Sequence, residues 1–187
     1  IWTLCMTTAP HILDDSFVLV PGNPPPDGAE IVWFKGSGGR NLRACIAPAL
    51  SASNPRGTVI VCPGRTEFIE KYFEVGRELQ EMGFAVVILD WPGQGLSERL
   101  LDDTKKGHID RFETFMGALA NGLESLQERL PRPHVSLAHS MGGAIALATI
   151  SQVFLECDIS SGPCARQGAP VTTLSSPDRR KHSKPIL

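Results

Sequence analysis

Three short apolar runs, TVIVC at Thr58 to Cys62, FAVVILD at Phe84 to Asp90 and HVSLA at His134 to Ala138, are each followed by a turn and then by a helix-like pattern. This alternation constrains the chain more than any other feature. Apolar, β-branched runs of four to eight residues read as strands buried on both faces. Strand, helix, strand, helix, strand, helix then implies a parallel sheet with right-handed crossovers. The predicted fold class is α/β, a mostly parallel sheet with flanking helices.

The helices follow from spacing. After the first run, Thr66 is expected to cap a helix with Glu67 and Glu70 in its first turn, where carboxylates favour the helix dipole. Phe68, Tyr72, Phe73, Leu79 and Met82 supply its apolar face, and Gly83 ends it. Ile109, Phe112, Phe115, Leu119, Leu123, Leu126 and Leu130 recur at intervals of three and four, which predicts a long second helix. GGAIALATI opens a third directly after Ser140. Upstream, Glu30 to Lys35 and Asn41 to Ala47 are β-favouring runs separated by GSGGR, as in an antiparallel hairpin. Those glycines do not form a dinucleotide loop, because Asn41 stands where the last glycine of GxGxxG belongs, and GxxxxGK[ST] is absent. PGNPPPDG, residues 21–28, reads as an extended arm. The expected organisation is an arm over 1–29, the folded region over 30–153 and a tail over 154–187.

Composition narrows the function. At 187 residues, 42% hydrophobic and 20% charged, one domain is expected. A net charge of −2 gives no basic footprint, so nucleic acid is not an expected partner. Cys5, Cys45, Cys62, Cys157 and Cys164 have no CxxC or zinc-ligand spacing and read as reduced thiols, with no metal or cofactor expected. No apolar run reaches the roughly 18 residues of a spanning helix, and the N-terminus lacks a basic segment followed by an apolar stretch. A cytoplasmic location is the expectation. Ile1 to Cys5 precede Met6 and are read as a processing or gene-boundary remnant.

Ser140 sits between the third strand and the third helix, at the carboxyl end of a parallel strand where functional groups collect. A nucleophile elbow needs small residues two positions before and after its serine, and Ala138 and Gly142 meet that need. Serine and glycine are also common in strand-to-helix turns without any catalytic part. Acyl transfer further requires two N–H donors aimed at an oxyanion. One is expected from Met141, after the serine, and one from the turn CPGRTEF, where Gly64-Arg65 lies at the end of an earlier strand. Arg65 is read either as a contact for a substrate phosphate or as a brace for its loop.

CPGRTEF-EKY, DWPGQGLSERL, KGHIDRF and LAHSMGG, in this order, resemble the α/β-hydrolase fold, and within it the bacterial lysophospholipase and monoacylglycerol-lipase-like branch, over residues 30–153. The resemblance implies a serine hydrolase of monoacyl lipid esters without a cofactor. It makes Ser140 the nucleophile and the N–H groups of Arg65 and Met141 the oxyanion hole. Asp90, Gly93 and Gly95 match a structural loop of the family. Ala138 stands where GxSxG has glycine, and adds only a methyl group.

The same resemblance implies a lid, further strands, an acid and a histidine after the serine. The chain has 47 residues beyond Ser140, and 11 of the 32 from Glu156 to Leu187 are Ser, Pro or Gly. The tail is therefore expected to be disordered and unrelated to the family, as though the reading frame or splice changed near 154, with the lid and C-terminal strands missing. Asp178 and His182 have the right order for an acid and a base but lie in that tail. His139 is expected to point away from the serine, His108 to act structurally, and His11 and His134 to lie far from it. Activity is expected to be weak or absent. Two alternatives stand beside the ester hydrolase: an amide hydrolase of the serine aminopeptidase type, and a non-catalytic interaction module. The expected partners are a small lipid ester, the inner membrane through peripheral contact, and a second copy through an exposed sheet edge.

Overall fold

The computed structural model describes residues 17–51 and 53–159, with side chains as far as Gln152. Five strands form one sheet: β1 (Glu30–Lys35), β2 (Asn41–Ala47), β3 (Thr58–Cys62), β4 (Ala85–Leu89) and β5 (His134–Ala138). Three helices flank it: α1 (Phe73–Glu81), α2 (Glu113–Leu126) and α3 (Met141–Ile159). The order across the sheet is β1-β2-β4-β3-β5. β3 runs parallel to both β4 and β5, whereas β1 pairs antiparallel with β2 and β2 antiparallel with β4. The sheet is thus mixed, with the parallel core and N-terminal hairpin that the patterning predicts.

Strand alternation divides the core into two layers. Ile60, Cys62, Val87 and Leu89 face one way, against Phe115, Leu119 and Leu126 of α2 and Ile145 of α3. Val59, Val61, Val86 and Ile88 face the other, against Ile69 and Phe73. Five-residue strands with every residue buried can only be central, and β3 and β4 are. β5 differs. Its Val135 and Leu137 are 40% and 44% exposed, and among the described residues no strand pairs with its outer edge.

The helix boundaries depart from the periodicity. Thr66 does not cap α1: its hydroxyl donates to the Arg65 carbonyl, and α1 begins at Phe73 after a 3-10 turn over Ile69–Tyr72. Glu67 and Glu70 are not dipole partners on a helix surface. Both are buried and accept hydrogen bonds from groups distant in sequence, a demand that overrides local helix preference. α2 is shorter than Ile109 to Leu130, with a 3-10 turn over Gln127–Arg129 beyond it. Before it, Asp110 Oδ1 accepts from the Arg111 N–H and the Thr114 hydroxyl, so Ile109 stays in the loop.

The part of the arm that is described does not merely lead into the fold. Phe17 packs edge-on against Phe73 at 5.1 Å, the Val18 N–H reaches Glu70, and the Asp27 N–H reaches Gln80. α3 runs through the expected boundary at 153 to Ile159. Cys45 and Cys62 are buried free thiols, pushed up by burial to about 12 and about 11. Among the described residues no helix is long and apolar enough to cross a membrane.

Candidate active site

Only two non-glycine residues among those described have a positive φ, and both lie at the carboxyl ends of adjacent parallel strands: Thr66 at 62° and Ser140 at 50°. A left-handed conformation at a residue with a Cβ costs on the order of 1–3 kcal/mol and persists only where surrounding structure enforces it. At Ser140 that enforcement is visible. The residue joins β5 to α3, the His139 N–H donates to the Cys62 carbonyl, and the Gly142 and Gly143 N–H groups donate back to His139 and Ser140. The turn is tight because a Cβ at Gly142 would meet the Cys62 carbonyl oxygen at 2.1 Å. Ala138 pairs directly with Cys62 across β3 and β5, leaving the serine exposed just past the sheet.

Both expected oxyanion donors belong to this corner. Met141 begins α3, so its N–H has no acceptor within its own helix. Arg65 follows Gly64 in the loop after β3. Arg65, Thr66, Gln94 and Met141 line one cavity of about 120 Å³, completed by Lys105, Gly107, Ile109 and Phe115. The structure thus brings Ser140, Met141, Arg65, Ala138 and Gly142 to one end of the sheet. The Thr66 N–H donates to Gln94 Oε1, and the Trp91 indole N–H donates to the Pro63 carbonyl at 2.7 Å, so the loop after β4 holds the loop after β3.

Asp90, Gly93 and Gly95 form that second loop. Asp90 accepts from the Ile69 and Leu96 N–H groups and pairs with the buried Arg43, which also meets Glu70 at 2.5 Å. Burial pushes the Asp90 carboxyl up to about 6, against the opposing pull of the Leu96 N–H and Arg43. Gly95 is required, at φ 51° with a Cβ that would fall 2.1 Å from Asp90 Cγ.

The histidines fall largely as their positions suggest. His139 turns from the serine toward Glu67, 3.2 Å from Oε2. His134 meets the Leu130 carbonyl, and the His108 carbonyl oxygen lies where a Cβ on Gly93 would meet it at 3.2 Å. Among the described residues no histidine side chain hydrogen-bonds to Ser140. His11, Asp178 and His182 lie outside them. Glu67 is the site residue that sequence reasoning misplaced. It accepts from the Gly64 N–H, Tyr72 and Lys71 as well as His139, and although burial opposes ionisation, these donors hold its carboxyl down at about 2. The available signal was its spacing from Lys71 and Tyr72 within EFIEKY.

A family model described as "Serine aminopeptidase, S33" matches residues 53–175. The chain belongs to that family. Among curated relatives of this serine aminopeptidase-family chain, Lysophospholipase L2 of Escherichia coli (strain K12) is 43% identical over 103 residues, 54% of this chain and 30% of that protein. Monoacylglycerol lipase of Mycolicibacterium smegmatis is 32% identical, over 51% of this chain and 33% of that protein. The chain spans about a third of the length of these relatives. A structure of Est1E from Butyrivibrio proteoclasticus with bound ferulic acid aligns with TM-score 0.55 at 18% identity, over 68% of this chain and 49% of that one. The likeness shows the α/β-hydrolase fold.

Proposed function

We propose that this chain carries the nucleophile and oxyanion half of a serine hydrolase of monoacyl lipid esters. The observation that carries the reading is Ser140, held at positive φ between β5 and α3 beside the cavity that Arg65 and Met141 share. The names of the bacterial relatives, a lysophospholipase and a monoacylglycerol lipase, favour an ester of one acyl chain.

In this mechanism Ser140 Oγ attacks the ester carbonyl carbon, and the developing oxyanion accepts from the Arg65 and Met141 N–H groups. Loss of one such donor typically costs about 2.7–4 kcal/mol in the barrier. The alcohol leaves, and water hydrolyses the acyl-enzyme. Serine needs a base to take its proton. Among residues outside the described ones, His182 has the right order for that base, which would pass the proton to the departing alkoxide, and Asp178 for the acid that orients it. With the described residues alone, turnover is weak, limited to what oxyanion stabilisation and binding contribute.

The test is labelling with a fluorophosphonate probe, beside Ser140→Ala and a heat-denatured sample. Labelling that needs both the fold and Ser140 supports the nucleophile. A folded sample that does not label means an elbow without a working triad and sinks catalysis by this chain. Hydrolysis of an acyl-glycerol, with an aminoacyl anilide untouched, separates the lipid ester from an amide substrate of the aminopeptidase kind.

A second reading rests on β5. Exposed Val135 and Leu137, on a strand whose outer edge has no partner among the described residues, favour self-association through that strand. Size-exclusion chromatography decides it: a defined dimer supports the reading, and a clean monomer removes it.

A further inference from the structure

Two oxyanion donors on separate elements work only if those elements are held in register, since the useful donor distance spans a few tenths of an ångström. The β3–β5 ladder aligns the strands as far as Cys62 and Ala138, and both donors lie beyond it. One side chain crosses that gap. Glu67 Oε2 accepts from the Gly64 N–H at 2.5 Å, one residue before Arg65, and lies 3.2 Å from His139 Nδ1, two residues before Met141. Tyr72 donates to the same oxygen and Lys71 to Oε1, each at 2.5 Å, which fixes the carboxylate from the side of α1.

We propose that Glu67 is a positioning residue that sets the spacing of the Arg65 and Met141 N–H groups by joining the loop after β3 to the nucleophile turn. The inference rests on the reading of Ser140 as nucleophile. A purely local role in the turn would be complete with Lys71, Tyr72 and Gly64, all within five residues of Glu67 in the sequence. The His139 contact spans 72 residues and belongs to the other donor's segment. Gly64 strengthens the argument. A Cβ there would lie 2.8 Å from Glu67 Oε2 and 2.9 Å from His139 Nδ1, so carboxylate, imidazole and loop backbone are packed against one another. Glu67 is almost fully buried, and its donors keep it ionised, so the bridge is a charged acceptor facing N–H and O–H groups from both segments.

The experiment compares fluorophosphonate labelling rates of the native chain, Glu67→Gln, His139→Ala and the double variant, each with circular dichroism to establish folding. Glu67→Gln is expected to label at least tenfold more slowly, a modest loss beside the roughly 100-fold that a 1 Å misplacement can cause. The losses in the double variant are expected to be less than multiplicative, because Glu67 acts partly through His139. A merely structural Glu67 predicts labelling within twofold of native, or losses that multiply, and either overturns the proposal. Should the native chain fail to label, catalysis by this chain falls, and amide resonances decide the positioning claim on their own. Movement of both the Gly64 and Met141 amides in Glu67→Gln supports it, and movement of Gly64 without Met141 overturns it. If Glu67→Gln does not fold, His139→Ala decides: a shifted Gly64 amide supports the bridge and an unmoved one overturns it.

Discussion

Gly142 stands against the main chain of Cys62 so closely that a Cβ would fall 2.1 Å from that carbonyl oxygen and 2.5 Å from the Pro63 oxygen. Backbone cannot yield as a side chain can. Gly142→Ala is therefore expected to cost about 1–3 kcal/mol, the usual range for overpacking, and to weaken the turn that presents Ser140. Its neighbour is the control. A Cβ at Gly143 would meet only the Ala138 methyl, at 4.0 Å, so Gly143→Ala gains helix propensity and should be neutral or stabilising by up to about 1 kcal/mol. Urea denaturation of the two variants checks this, and equal losses in both would contradict the geometry.

Ser140 carries a cost in stability that glycine would not. With φ at 50°, its Cβ sits in the left-handed region, where replacement by glycine relieves strain and replacement by alanine does not. Ser140→Gly should be more stable than Ser140→Ala by about 1 kcal/mol, although both lose the hydroxyl. Thermal unfolding measures the difference. An equal or reversed order would mean that the turn is not held in this conformation.

How far the site could be read from sequence depends on the range of the contacts. The strands were legible because TVIVC and FAVVILD are apolar throughout, and only central strands of a covered sheet require that. Ser140, Ala138 and Gly142 were legible because a strand-to-helix turn constrains residues two apart along the chain. Glu67 was not. In isolation EFIEKY looks like the first turn of a helix, and what makes Glu67 a buried acceptor is His139, which the sheet alone brings near. Thr66 was misread for the same reason: its N–H is taken by Gln94, from the loop after β4. Leu96 and Ser97, which anchor that loop to Asp90 and Arg43, carry no periodic signal at all.

Arg43 is fully buried between Glu70 and Asp90, at 2.5 and 3.2 Å. One cation serves two carboxylates there. Removing it with Arg43→Met leaves both in a dry site, so the expected loss is about 3–5 kcal/mol, the range for breaking a buried pair. Chemical denaturation measures it. A loss under about 1 kcal/mol, as for an exposed pair, would mean that water or protonation relieves the carboxylates.

Glu67 also makes a prediction in pH. Burial alone would raise its carboxyl, but Lys71, Tyr72, Gly64 and His139 hold it down at about 2, below its ordinary 4.5. A depressed folded value means stability that is present above pH 4.5 and lost as pH falls toward 2. Asp90 works in the opposite sense. Raised to about 6 from 3.8, it contributes stability present below 3.8 and lost as pH rises through 6. The native profile mixes the two, and the difference between native and Glu67→Gln isolates the first, since Asp90 is common to both. That difference in urea midpoint should be constant from neutral pH down to about 4.5 and shrink from there toward pH 2. A difference that is flat through the acid range would mean that Glu67 is not ionised against these donors in the folded chain.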